Sequence, residues 1–165
     1  MVKKKMEEKN KNQGLSKIVK TTFFVIAVPI ITFGLYVILH GHLTPGGGFA
    51  GGAIIANLTA LFLITFGRNT VKKPYKEFLL LLESLALVSL ILLAFLGLKS
   101  TFFYNFLANT GNIFGRAISY GINSGYLSTA GTISLMNTAV GIEVFAALSL
   151  IIIIMYTGPV GGENN

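Results

Sequence analysis

The stretch Gly41-His42-Leu43-Thr44-Pro45-Gly46-Gly47-Gly48-Phe49-Ala50-Gly51-Gly52 decides how this chain is read. Half of these residues are glycine, and long apolar runs lie on both sides. A flexible linker is Gly/Ser-rich and flanked by polar sequence. Here the glycines join two segments of membrane-spanning length. The stretch marks a place where backbone turns sharply, approaches a neighbour closely, or both.

Composition sets the class. The 165-residue chain is 53% hydrophobic and only 12% charged, about half the charged fraction of a soluble domain. Its mean hydropathy is positive. These values describe an integral membrane protein. The chain has no cysteine, which excludes disulfides, thiolate metal sites and cysteine nucleophiles. The net charge of +7 does not point to nucleic acid, because the lysines cluster where membrane topology puts them, in an N-terminal tail and one short loop.

Working outward, the apolar runs predict four transmembrane helices at about 18–39, 49–67, 78–98 and 135–157, in one membrane domain over 18–157. Each is long enough, at about 1.5 Å per residue, to cross a core about 30 Å thick. Residues 1–17 form a basic tail and 158–165 a short tail without positive charge. The first apolar run is too long for a signal peptide and reads as a retained helix. The N-terminal tail and the second loop hold eleven of the thirteen Lys and Arg residues, whereas the glycine loop holds none. The positive-inside rule then places both termini in the cytoplasm, and the glycine loop and the long 99–134 loop outside. The expected fold is all-α, in the cell membrane. Phe102, Phe103, Tyr104 and Phe106 suit an interfacial belt or a partner surface.

Within the helices, a few residues stand out. Pro29 lies mid-helix and predicts a kink, read as a packing feature before a gating hinge. Gly48, Gly52, Ala56 and Ala60 recur every four residues, with Gly47 and Gly51 as a parallel pair; such small stripes let another helix come close. Glu83 and Glu143 are the acids inside apolar spans. A carboxyl in hydrocarbon is costly and faces a bundle interior, a partner or water. Counted from the expected helix ends, Glu83 lies about 9 Å in from one side and Glu143 about 12 Å in from the other. The two differ in depth by roughly 9 Å in a 30 Å slab, which disfavours a shared-carboxylate site. Asn57, about 12 Å deep on the same count, falls level with Glu143, and a contact between them is expected. For both acids the alternative to an ion-path role is a hydrogen-bonded helix clamp. His40 and His42 flank Gly41; His40 reads as a residue that bonds loop carbonyls, and His42 as a candidate proton group at the mouth. Two histidines do not make a zinc site. The glycines lack the Gly-Lys-Ser/Thr ending of a phosphate loop and the βαβ setting of a dinucleotide fingerprint. No hydrolytic or redox centre is legible.

The run GHLTPGGGFAGG between a first and a second membrane helix resembles the MnhB/MrpB-like family, the B-type subunits of multisubunit Mrp/Mnh-type sodium/proton antiporters. It is also similar to the equivalent subunit of membrane-bound hydrogenases and related respiratory complexes. The matching positions are Gly41, His42, Pro45, Gly46, Gly47, Gly48, Phe49, Gly51 and Gly52. The resemblance covers 18–98, and Asn137-Thr138-Ala139-Val140-Gly141-Ile142-Glu143-Val144 looks like the family's closing helix. It implies a non-catalytic, cofactor-free subunit that takes part in sodium and proton translocation and in assembly with other membrane subunits. The implied hosts are a free-standing antiporter, a hydrogen-evolving complex and a sulfur-reducing complex, the last two with electron-transfer subunits. A purely structural bridging subunit and an autonomous small transporter are the competing readings.

Overall fold

The computed structural model describes residues 16–67, 70–98, 101–111, 114–117 and 126–158. The basic tail up to residue 15, Arg68, Lys99 and the C-terminal tail beyond Gly158 lie outside the described residues, as does much of the 99–134 loop.

Four long helices follow one another: α1 (Lys17–Leu39), α2 (Gly47–Phe66), α3 (Lys73–Leu96) and α4 (Thr132–Thr157). Each is long and apolar enough to cross a membrane. A short 3-10 turn, Leu127–Thr129, leads into α4. In space, α2 packs on both α1 and α4, and α4 also packs on α3. The middle position of α2 shows in its burial: 39% of its span is buried, against 17% for α1 and for α3. A compact apolar cluster of Leu63, Leu79, Ala146 and Ile153 joins α2, α3 and α4 toward one end.

Three helix starts differ from the hydropathy reading, each for a local reason. Helix α2 begins at Gly47 rather than 49, because Gly46 (φ +125°) and Gly47 (φ +61°) make the turn in left-handed backbone. Only glycine adopts such angles without strain. Helix α3 begins at Lys73 rather than 78. Lys72 is extended, with φ −85° and ψ 156°, and Pro74 occupies the first turn. Proline is favoured there because its missing N–H has no helical partner to lose. Helix α4 begins at Thr132 rather than 135, because a distant side chain caps it. The Thr132 amide and hydroxyl both donate to Asn105 Oδ1 at 2.8 Å, and Asn105 Nδ2 donates to the Ala130 carbonyl at 2.9 Å. The loop after α3 is thereby tied to the head of α4. Asn105→Ala should lower the stability of the detergent-solubilised chain by about 1–2 kcal/mol, the usual cost of a lost cap. The comparison is thermal unfolding followed by circular dichroism, and an unchanged midpoint would refute the capping role.

Helix α1 runs unbroken through Pro29, which is exposed. Its C-cap is His40. The His40 ring donates from Nδ1 to the Tyr36 carbonyl at 3.0 Å and stacks on the Tyr36 ring at 4.0 Å. His40 therefore bonds its own helix end.

Candidate functional site

The glycine stretch builds a three-helix junction at the outer ends of α1, α2 and α4. Its two glycine registers serve different neighbours. Gly51 faces α1: a methyl group added there would fall 2.5 Å from Ile38 Cγ1 and 2.6 Å from the Gly34 carbonyl oxygen. Gly48 and Gly52 face α4: added methyls would meet Gly141 N at 2.9 Å and Gly141 O at 2.5 Å, respectively. Gly41 closes the turn against Gly47 and the Asn137 amide. The buried Ile38 side chain inserts between Gly51 and Gly141. Ala56 continues the stripe fully buried, and Ala60 is half-buried. The partners of this stripe are thus the chain's own first and last helices. Deeper along the interface, the Thr59 and Ser149 hydroxyls share a buried hydrogen bond of 2.8 Å. Phe49, Pro45 and Gly46 remain exposed at the turn.

His42 sits where the junction meets the loop. Its Nε2 lies 3.4 Å from the Tyr126 carbonyl. A carbonyl only accepts, so Nε2 carries the proton and Nδ1 is left as an acceptor in the neutral ring. That Nδ1 is buried and unpartnered among the described residues, as is the Ser134 hydroxyl at the start of α4. Arg116 covers the Tyr126 ring, its guanidinium 4.3 Å from the centroid.

The structure separates the polar residues of the deeper candidate site. Glu143 is half-buried on α4, in one helical row with the buried Ala139 and Ala146. Ala146 belongs to the cluster around Leu79, so Glu143 lies on the side of α4 that turns to α3. Asn57 is exposed on α2. The Thr59–Ser149 pair fixes the α2/α4 offset at 90 residues. That offset sets Asn57 beside Ala147, about one turn deeper than Glu143. Among the described residues no hydrogen bond joins the two, so the expected contact is absent. The cause is that α4 starts about one and a half turns above α2, a stagger that depth counting from assumed ends does not see. Glu83 is half-buried on α3, one turn beyond Leu79. Among the described residues it is not paired with Glu143, and no group of three His, Asp or Glu converges to hold a metal ion.

Several participants carry no clear signal in the sequence. Ile38, Thr59 and Ser149 are ordinary residues of apolar helices, and their pairing spans distances no local pattern encodes. Asn137 lies in a recognisable stretch, yet its packing on Gly41 emerges only in three dimensions. Asn105 carries a weak signal as a polar residue beside an aromatic cluster.

Four apolar helices riveted through a glycine junction define a polytopic membrane protein. Residues 18–150 match the family model described as a domain related to the MnhB subunit of Na+/H+ antiporter. The chain belongs to this MnhB-related family. It is 38% identical over 132 residues to the uncharacterized protein MJ1307 of Methanocaldococcus jannaschii, covering 80% of this chain and 49% of that one. It is 33% identical over 63 residues to the MnhB-type subunit of the Na(+)/H(+) antiporter of Bacillus subtilis, covering 38% of this chain and 44% of that relative. The chain thus spans about half the length, or less, of these curated relatives. Its fold resembles a chain in the membrane-bound sulfane sulfur reductase, an archaeal respiratory membrane complex. The TM-score is 0.63 at 30% identity, over 89% of this chain and 62% of that chain.

Proposed function

We propose that this chain is a non-catalytic membrane subunit of a multisubunit sodium/proton antiporter module, contributing to ion translocation and to assembly, with sodium ions and protons as the transported species. The observation that carries this reading is the family match, which spans the bundle from α1 into α4. The likeness to a chain of the sulfane sulfur reductase favours a respiratory complex of that class, with its electron-transfer subunits, as host. The positive-inside rule puts both termini in the cytoplasm. Glu143 is the residue we place on the ion path, as a half-buried acid within an apolar span. Asn57, Glu83 and His42 are candidates along it. Because Asn57 faces away from the bundle, its part in a path needs a neighbouring subunit.

A purely structural role has one observation in its favour. Most of α1 and α3 is unburied and apolar, as expected of helices that fit between larger subunits. Both readings require other chains. Affinity purification in mild detergent should recover large antiporter-like membrane subunits with this one, and the chain reconstituted alone should give no sodium or proton flux. Flux from the isolated chain would overturn the subunit reading.

A further inference from the structure

Helices α1 and α3 stand at opposite edges of the α2/α4 pair. Away from the glycine junction this leaves a groove of about 410 Å³. Its floor is Leu58 and Phe62 of α2 with Phe145 of α4, and its wall is the face of α1 from Phe23 to Ile31. A second hollow of about 560 Å³ shares Phe62 and Tyr75 with the first and continues past Val71 to Lys72. Thr59, a polar group in the floor, is already bonded to Ser149, so its hydroxyl leaves no unmet polar demand there.

The open end is basic. Lys72 lines it, and Lys20 lies with Nζ 5.7 Å from the Phe66 ring centroid, beside the Phe23, Phe24 and Phe62 rings that border the groove. Among the described residues no acid lines either hollow; Glu77, the acid closest in sequence to Lys72, is exposed. From Lys20 to Ile31 the groove is roughly 16 Å long by helical rise. That is about half of a 30 Å hydrocarbon core, or one leaflet. Its walls are bulky aromatics rather than the small residues through which membrane helices dock.

We propose that this groove binds one phospholipid with an anionic headgroup. An acyl chain lies along the aromatic wall, Lys20 and Lys72 hold the phosphate, and the Tyr75 hydroxyl stands at the junction of the two hollows to donate to headgroup or ester oxygens. Basic pockets between membrane helices recognise anionic lipids through this combination of charge and apolar cleft.

The chain contains no tryptophan, so Phe24→Trp introduces a single indole in the groove wall. The full-length variant is reconstituted in vesicles containing either brominated phosphatidylglycerol or brominated phosphatidylcholine at equal mole fraction. The anionic lipid should quench the indole at least about twofold more strongly, and Lys20→Gln with Lys72→Gln should remove the excess. Leu81→Trp, exposed on α3 outside the groove, reports general enrichment of anionic lipid and should show little preference. Phe78→Trp, in the second hollow, repeats the measurement if Phe24→Trp does not fold. Equal quenching by the two lipids, an excess equal to that at Leu81→Trp, or an excess that survives loss of both lysines would each overturn the proposal. Absence of quenching by either lipid would show that protein fills the groove, and would overturn it too.

Discussion

Gly52→Leu should unfold the bundle at its centre, with a loss of about 3 kcal/mol or more. The first added carbon already meets the Gly141 carbonyl oxygen at 2.5 Å, Val144 Cβ at 3.0 Å and the Phe145 amide nitrogen at 3.2 Å. Two of these three atoms are helix backbone, which has no rotamer to move into. Relief would require α4 to move off α2. That movement would break the Thr59–Ser149 hydrogen bond and pull Gly141 away from Ile38. Overpacking a well-filled core already costs about 1–3 kcal/mol where side chains can adjust. Gly48→Leu should behave alike, because its added carbon would meet Asn137 and Gly141 backbone. Ala60→Leu, on the same stripe but half-buried, should cost clearly less. Denaturant titration in mixed micelles gives the comparison. A Gly52→Leu midpoint equal to that of the parent chain would contradict the close-packing account.

The second large effect concerns transport. In an assembled complex, Glu143→Gln should reduce sodium-dependent proton exchange by about tenfold or more while leaving assembly intact, since an intramembrane carboxylate of this kind serves ion and proton pathways. The amide has nearly the same shape and still forms hydrogen bonds, but it neither carries charge nor takes up and releases a proton at working pH. Half-burial next to Ala139 and Ala146 leaves room for the isosteric change without a packing penalty. Wild-type exchange in a correctly assembled Glu143→Gln complex would remove Glu143 from the path and leave the structural reading. Loss of the complex itself would point the same way, toward a clamp between helices.

The sequence and the three-dimensional arrangement part company at identifiable residues. The existence and type of four helices were legible because each apolar run exceeds membrane thickness. Their starts were not, because hydropathy does not register a proline in a first turn, as at Pro74, or a cap supplied from far along the chain, as by Asn105 to Thr132. The glycine stripes announced close approach. Which helix each stripe would meet depended on tertiary packing: Gly51 meets α1, whereas Gly48 and Gly52 meet α4. Asn57 and Glu143 showed as polar residues in apolar surroundings. Their relation was misjudged because both helices were assumed to begin at one level.

The Ile38 side chain, held between Gly51 and Gly141, has a mechanical consequence. One residue pins three helices at one end of the bundle, while at the opposite end α1 borders an open groove and has no such fastening among the described residues. A rod clamped at one end and free at the other has one soft motion, a swing of the free end about the clamp. Pro29 lies between the two, and proline lacks the backbone donor that would stiffen the rod there. The compliance of this chain is therefore concentrated in the first dozen residues of α1. A neighbouring subunit pressing on that segment would move it without disturbing the glycine junction.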